Sequence, residues 1–345
     1  MKRILFPFLI LTLLTIHTGT LFAQDDAFRS LIRLGMQFHD EGEYENAIKS
    51  YEQALTIVPD SKFAYYEIAL SYAMMQNYDK VIEYGKKTMA APDDGNADID
   101  MLIATVLGSV YDDNGQPEEA IKVYDDALKK GESYLLYFNK GLTLQLMDKN
   151  KEALVCYKNA LKLNIDHPSS NMNIARIYLT GGDDVSAFFY YLYFLLLEPQ
   201  SERSKLALNE LFSLSKGTTI AIPNDGQGPL YLTLSMGFKV LEVDESKQKL
   251  GMGDKLSYIF NLLYSVKDKV DISQLNDDIC SSFYTPMFFA IGDKGYLDTF
   301  AKYLTFSSDE QSLKWMSENE DEVDTLFEFL NTFGTEEEEE IEAEV

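Results

Sequence analysis

Three nearly identical nine-residue segments constrain the fold of this chain more than any other feature. Each ends in the pattern Tyr-x-x-Ala-Leu, and they read AIKSYEQAL, AIKVYDDAL and ALVCYKNAL, beginning at Ala47, Ala120 and Ala153. A second helical pattern with a small residue at its centre precedes each of them. Self-similarity at a regular spacing is the sequence signature of stacked structural repeats. The chain is therefore predicted to stack helical pairs, none of which can bury its apolar face alone.

The register of the repeats follows from two weaker copies and from the alanine that opens each second helix. Successive repeats are spaced by 34, 39, 33 and 34 residues, and the excess in the second spacing falls on the turn-rich segment PDDGN. Small residues on the first helices let two helices approach closely, and the alanines admit the next helix. The predicted repeats begin near Phe28, Lys62, Met101, Tyr134 and Pro168.

This arrangement resembles the tetratricopeptide repeat, which has a small residue on its first helix, an aromatic residue three positions later, and Tyr-x-x-Ala near the end of its second helix. The resemblance implies an all-α fold, a right-handed superhelical solenoid of helix-turn-helix repeats that binds proteins. We expect five repeats and a capping helix, from Glu202 to Ser215, within residues 24–216.

In this family the first helices line a concave groove, so the resemblance also implies which side chains meet a partner. The expected groove residues are Ile32, Met36, Tyr66, Leu70, Phe138, Asn139, Leu142, Met172, Asn173 and Arg176, with Thr105 and Ser109 in the same rows. Family members that grip a terminal carboxylate use Lys and Asn where this chain has Ile32 and Met36. The expected partner is instead an apolar helix or an extended apolar segment, hydrogen-bonded by Asn139 and Asn173. The alternative is a structural module whose groove is filled by the chain's own C-terminal helices.

The C-terminal half is predicted to be a second helical region, residues 217–334, followed by an acidic disordered tail, residues 335–345. The breaker-rich segment GTTIAIPNDGQGP separates it from the repeats. Apolar spacing predicts helices over 230–243, 254–270, 274–291, 296–306 and 309–333, the last starting in a capping box at Ser308. Pro286 is expected to break the aromatic-rich third helix. This half is loosely similar to C-terminal extensions of exported repeat proteins from Bacteroidota-type bacteria.

The N-terminus and the net charge bear on location and on partners. Lys2 and Arg3 precede a long apolar run that ends near Ala23, which is the order of a cleaved secretory signal, residues 1–23, although an uncleaved membrane anchor is the rival interpretation. We expect export to the periplasm or cell envelope and no stable membrane insertion after cleavage. The formal charge is −26, and it becomes −28 without the two N-terminal bases. Such a charge disfavours nucleic-acid binding.

The sequence shows no motif of a catalytic, metal or cofactor site. The two cysteines, Cys156 and Cys280, are expected to be small buried residues, with a disulfide between them as the alternative. Carboxylate pairs such as Asp112-Asp113 and Asp277-Asp278 leave a helical enzyme as a distant alternative, but solvated helix ends explain these pairs more simply. The function predicted is a non-catalytic scaffold or accessory subunit without metal or cofactor.

Overall fold

The computed structural model describes residues 24–92, 97–214, 228–275 and 277–333, and within these ranges it contains helices and no strand. The predicted signal, the acidic tail and most of the breaker-rich segment lie outside the described residues. The α-helices are α1 (24–40), α2 (Tyr44–Ile57), α3 (Lys62–Met74), α4 (Tyr78–Ala90), α5 (Ala97–Asp113), α6 (Pro117–Leu128), α7 (Tyr134–Leu146), α8 (Asn150–Leu163), α9 (Pro168–Gly181), α10 (Asp184–Leu197), α11 (Glu202–Leu211), α12 (Gly228–Val243), α13 (Glu245–Gln248), α14 (Met252–Tyr264), α15 (Thr285–Asp293), α16 (Leu297–Thr305), α17 (Glu310–Glu318) and α18 (Glu320–Thr332).

The chain divides into two compact units, Met1–Cys156 and Tyr157–Val345, and the division falls inside α8. The predicted boundary between the repeats and the C-terminal region, at residues 216 and 217, therefore does not coincide with this division. It stays a prediction about where the repeats end.

In the first unit, consecutive helices pack in pairs, and the first helix α5 also contacts the first helices on either side of it, α3 and α7. Short turns join the helices of a pair, and Gly42 and Gly115 adopt positive φ angles of 79° and 67° there. Ser61 and Asn77 cap α3 and α4 by accepting hydrogen bonds from backbone N–H groups, and Pro117 occupies the first turn of α6. The helical pairs that these turns join are the predicted helix-turn-helix repeats.

The close approach predicted at the small residues of the first helices is confirmed. A Cβ atom on Gly35 would lie 2.4 Å from Cε1 of Tyr51, and one on Gly108 would lie 2.2 Å from Cζ of Tyr124. Both tyrosines are fully buried. Glycine is therefore required at these places, because any side chain would displace the tyrosine ring of the second helix.

A buried charged group joins the second and third repeats of the first unit. Asp100, in the first turn of α5, lies 3.1 Å from Nζ of Lys62 and 3.0 Å from Nζ of Lys130. Lys62 and Asp100 are both buried, whereas the side chain of Lys130 is partly exposed. Two lysines therefore share one carboxylate beside the long junction between these repeats.

The second unit is built around α10, whose residues 185–195 are all buried. The sequence of this helix, DVSAFFYYLYFLLL, is apolar around its whole circumference, as expected for a helix enclosed on every side. It contacts α9, α11, α12 and α16 and the π-helical turn Cys280–Tyr284. The C-terminal helices of this unit thus enclose the second helix of the fifth repeat.

Three of the predicted C-terminal helices differ from the structure. The helix predicted over 254–270 ends at Tyr264, and a separate 3-10 turn, Lys267–Lys269, follows it. The helix predicted over 274–291 is instead a π-helical turn, Cys280–Tyr284, that runs directly into α15 with Pro286 in its first turn. The chain therefore stays helical through Pro286, which was expected to break it. The helix predicted over 309–333 ends at Glu318, and a new one begins at Glu320. The N-cap of the first of these two helices, α17, is Asp309, which accepts a hydrogen bond from the N–H of Gln311, and not the predicted Ser308.

Candidate protein-binding surface

The groove residues predicted in the first unit lie on its first helices with different exposures. Met36 is 43% exposed, whereas Ile32 is 8% exposed and belongs to the core formed by α1, α2 and α3. The remaining ones are half-buried: Tyr66, Leu70, Phe138, Asn139 and Leu142. The predicted row therefore consists mainly of apolar side chains that are partly open to solvent.

Sequence reasoning missed four apolar residues that are more exposed than most of this row. Met74 is 57% exposed and Leu146 is 77% exposed, at equivalent places near the ends of α3 and α7. Leu102 and Leu135 are 47% and 39% exposed, at equivalent places near the starts of the third and fourth repeats. The repeat register does not identify Met74 and Leu146, because the other three repeats have polar residues at that place.

Helical geometry places the predicted and the missed residues on one face of each helix. In α7, Leu135, Phe138, Leu142 and Leu146 follow one another at intervals of three or four residues, which is the spacing of a single helical face. The same intervals recur in α3. We call the exposed apolar face of these first helices the first-helix surface, made of Met36, Tyr66, Leu70, Met74, Leu102, Leu135, Phe138, Leu142 and Leu146.

The surface is interrupted on α5 by two hydroxyl groups that are already hydrogen-bonded. Thr105 donates to the carbonyl of Met101 and Ser109 donates to the carbonyl of Thr105, each at 3.0 Å. Because these hydroxyls use backbone acceptors of their own helix, covering them with an apolar partner does not leave their protons unpaired.

The hydrogen-bonded pair of Thr143 and Asp112 lies beside Asn139, because Thr143 is one turn further along α7. The hydroxyl of Thr143 donates to Oδ2 of Asp112 at 2.5 Å, while Oδ1 of Asp112 is buried and has no hydrogen-bond partner among the described residues. Burial raises the pKa of Asp112. That Asn139 hydrogen-bonds a bound backbone stays a prediction.

An open cleft of about 620 Å³ adjoins this surface at α1. Its lining is mostly apolar, and it combines α1 with the turn between α2 and α3: Phe28, Arg29, Ile32, Arg33, Val58, Pro59, Asp60, Ser61, Lys62, Phe63 and Pro92. Arg29, Ile32 and Met36 occupy one face of α1 at the same intervals as the apolar stripes of α3 and α7. The cleft therefore continues the first-helix surface.

In the second unit, two of the predicted groove residues contact α11. Arg176 forms a bidentate ion pair with Glu210, at 3.0 and 3.1 Å, and Met172 is buried with its sulfur 3.7 Å from a guanidinium nitrogen of Arg203. Asn173 is half-buried. Partner binding by these three residues stays a prediction, because the unit's own α11 already engages two of them.

The C-terminal segment reaches the repeat helices of this unit through Asp277, not at the predicted groove positions. Oδ2 of Asp277 accepts from the hydroxyl of Tyr178 at 2.5 Å and lies 2.7 Å from Nζ of Lys158. Oδ1 accepts from the hydroxyl of Tyr190 at 3.0 Å and from the N–H groups of residues 279 and 280, each at 2.9 Å. Asp277 is completely buried, so its interpretation as a solvated helix end was wrong. The neighbouring Asp278 is exposed.

The groups around Asp277 are suited to a structural role. Burial, and then the charge of Asp277, raises the pKa of Tyr178. The hydroxyl therefore stays protonated and donates a hydrogen bond to the carboxylate. Tyr284 donates to Oδ1 of Asn171 on α9 and stacks on Tyr193, with ring centroids 4.7 Å apart. The carboxylate is thus saturated with donors, which suits anchoring more than proton transfer.

Cys156 and Cys280 are free and buried, as predicted, and the alternative of a disulfide between them is wrong. Burial raises the pKa of each thiol, which makes both poor nucleophiles. Among the described residues no group of three or more His, Cys, Asp and Glu side chains is placed to hold a metal ion. No helix within those ranges combines the length and the apolar character needed to cross a membrane.

Family models match parts of the repeat region, and known proteins match about half of the chain. Residues 35–76 match the family described as TPR repeat, and residues 103–129 and 134–167 match the one described as tetratricopeptide repeat. The human protein O-mannosyl-transferase TMTC1 is 28% identical over 188 residues, 53% of this chain and 21% of its own length. The TPR repeat-containing protein MJ1428 of Methanocaldococcus jannaschii is 25% identical over 183 residues, 52% of this chain and 29% of its own length. The chain therefore spans less than a third of the length of either relative.

Solved structures are similar to this chain at low sequence identity and with TM-scores below 0.5. The structure from the functional characterization of Pseudomonas aeruginosa pilF is 22% identical, covers 66% of this chain and 97% of its own, and has a TM-score of 0.47. PilW, a type IV pilus biogenesis factor, is 20% identical, with 64% and 96% coverage and a TM-score of 0.45. YrrB, a TPR protein with an unusual peptide-binding site, is 20% identical, with 56% and 95% coverage and a TM-score of 0.43.

The helical pairs and the family matches together identify the repeats. The chain carries tetratricopeptide repeats in an all-α fold. Proteins built from these repeats generally mediate protein–protein interactions.

Proposed function

We propose that this protein is a non-catalytic scaffold or accessory subunit of the bacterial cell envelope that binds an apolar helix or extended segment of a partner protein on its first-helix surface. One observation supports this more than any other: large apolar side chains are exposed at equivalent places of different repeats, Leu102 and Leu135 at one place and Met74 and Leu146 at another. Exposed apolar side chains gathered on one surface are typical of interaction sites.

The energetic benefit of covering this surface is substantial. Full burial of one large aliphatic side chain contributes about 1.5–3 kcal/mol. Leu146 and Met74 are more than half exposed, so a partner that covers them removes apolar area that the fold itself leaves in water. Half-buried Tyr66 and Phe138 lie on the same faces and add aromatic contact area, which interfaces favour.

The absence of catalysis in this proposal is supported by the carboxylate of Asp277. It is saturated by two tyrosine hydroxyls, two backbone N–H groups and Lys158. In this proposal the C-terminal helices serve as the cover of α10, and Asp277 holds that cover in place. The envelope location rests on the signal-like sequence of residues 1–23.

Substitution of the exposed residues tests the proposal without disturbing the core. We expect Met74→Glu with Leu146→Glu to abolish co-purification of a partner from the cells that produce the protein, because two charges would have to be buried in the interface. The circular dichroism spectrum and the melting temperature should stay close to those of the unaltered protein, because both positions are exposed.

A matched control is available on a second helix. Val155, on α8, is 58% exposed, nearly the same as Met74, but it does not belong to the first-helix surface. Val155→Glu should retain the partner. Retention of the same partner by the Met74 and Leu146 variant, or its equal loss from Val155→Glu, would contradict the proposed surface.

A further inference from the structure

The cleft beside α1 differs in charge from the chain that contains it. Arg29 and Arg33 are both exposed at its rim, in a protein whose acids outnumber its bases by 56 to 30. Arg29 pairs with exposed Asp25 at 3.1 Å, and Arg33 donates to the hydroxyl of Ser30 at 3.3 Å. Exposed pairs of this kind contribute little, so both guanidinium groups remain available to a stronger partner.

The wall of the cleft adds to this positive character. Lys62 is buried there and pairs with Asp100, but Asp100 also pairs with Lys130, so two ammonium groups are balanced by one carboxylate. Asp60 is the one acid that lines the cleft among the described residues, and it already accepts a hydrogen bond from Tyr65. A local excess of positive charge attracts anionic groups when the rest of the surface repels them.

The apolar lining of the cleft indicates that its ligand also has an apolar group. Phe28, Val58 and Phe63 contribute apolar side chains to a cleft of about 620 Å³, a size typical of sites that enclose a small ligand or a side-chain anchor. Because Arg29 and Ile32 share a helical face with Met36, a segment seated in the cleft continues directly onto the first-helix surface.

We propose that the cleft holds the end of an acidic partner segment, with an aromatic or large aliphatic side chain in the apolar lining and an adjacent Asp or Glu paired with Arg29 and Arg33. This inference rests on the proposed function and deepens it, since it gives the partner a charge and a direction along the first-helix surface. The groups recognised are side-chain carboxylates beside an apolar anchor, so a free C-terminal carboxylate is not required.

The probe is a library of random twelve-residue peptides displayed on phage through their C-terminal ends, selected against the purified protein. We expect the selected peptides to be enriched in Phe, Leu, Ile or Trp next to Asp or Glu. Selection against Arg29→Gln with Arg33→Gln should keep the apolar enrichment and lose the acidic one. Selection against Lys49→Gln with Lys129→Gln, which removes the same charge from exposed positions outside the cleft, should retain both.

Affinity of one selected peptide, synthesised with an amidated C-terminus, gives the magnitude. Its fluorescence anisotropy should show about tenfold weaker binding to the arginine variant, as expected for the loss of two exposed ion pairs, and less than about twofold weaker binding to the lysine variant. Raising the salt concentration should reduce the difference between the two variants.

The outcomes separate this inference from the proposed function. Apolar peptides selected without acidic residues, or an acidic preference that survives in the arginine variant, would overturn the inference and leave the first-helix surface intact as a binding site. No enrichment of apolar residues over a selection without protein would overturn both.

Discussion

Asp277 and Asp278 are neighbours of the same residue type, yet the fold gives them opposite environments. Asp277 is fully buried among Lys158, Tyr178 and Tyr190. The side chain of Asp278 is 55% exposed and pairs with exposed Lys162 and with Lys158, which it shares with Asp277. The sequence predicted the same solvated position for both. It could not distinguish them, because the side-chain partners of Asp277 lie 87 or more residues away along the chain, and only the packed unit brings them together.

Substitution of each aspartate should measure this difference. Asp277→Asn leaves Lys158 without its buried partner and turns an amide N–H toward a donor, so we expect a loss of about 3–5 kcal/mol in unfolding free energy. Asp278→Asn should cost less than about 1 kcal/mol, because its own carboxylate is exposed and Lys158 keeps Asp277 as its buried partner. Urea denaturation of both variants provides the comparison, and equal losses would contradict the anchoring role of Asp277.

Asp184 gives the second unit a defined pH dependence. Burial, and then the charge of neighbouring Asp183, raises the pKa of Asp184 to about 6. In the unfolded chain this carboxyl ionises near pH 4, so ionisation opposes folding increasingly from about pH 4 to pH 6 and fully above that.

The variant Asp184→Asn should therefore be more stable than the unaltered protein at pH 7.5 and nearly equal to it at pH 3.5. Unfolding free energies measured across this range provide the test. A stability difference that stays constant with pH, or one that increases toward low pH, would contradict the raised pKa of Asp184.

Among the elements, the helices of the repeats were predicted best because their constraints are local. Helices α3, α7 and α9 begin at Lys62, Tyr134 and Pro168, the predicted starts of their repeats. Small residues, turn glycines and the tyrosine of each second helix all act within one repeat, so the spacing contains the information.

Elements held by distant contacts were predicted less well. The apolar sequence of α10 signals a helix enclosed on every side, but it does not reveal which elements enclose it. The π-helical turn Cys280–Tyr284 has no spacing signature, and it follows the backbone hydrogen bonds that Asp277 accepts.

The close packing of α5 on α6 at Gly108 gives a prediction for these elements. Gly108→Ala places a methyl group 2.2 Å from the ring of Tyr124, so either helix or ring must move, and we expect a loss of about 1–3 kcal/mol or more. Gly181→Ala, where a Cβ meets no atom within 4 Å, should be neutral or slightly stabilising. Thermal unfolding of both variants tests this. A neutral Gly108→Ala would contradict the close packing of α5 on α6.

Over the whole molecule, a strongly acidic chain leaves an apolar surface open on its first unit. The net charge of −26 keeps such a chain soluble, and it also disfavours anionic ligands everywhere except where bases gather, as they do at the cleft of Arg29 and Arg33. The family resemblance predicted the row that contains Tyr66 and Phe138. It did not predict the exposure of Leu146, because exposure depends on how the neighbouring helices end.

Site-specific photo-crosslinking in the cells that produce the protein tests the central claim most directly. A photoreactive phenylalanine analogue at Met74, Leu102 or Leu146 should crosslink to the same foreign polypeptide, identified by mass spectrometry, because these residues belong to one surface. The analogue at Val155, equally exposed on a second helix, should not. Crosslinks from the three surface positions only to the protein's own chain, or an identical pattern from Val155, would contradict the claim that the first-helix surface binds a partner.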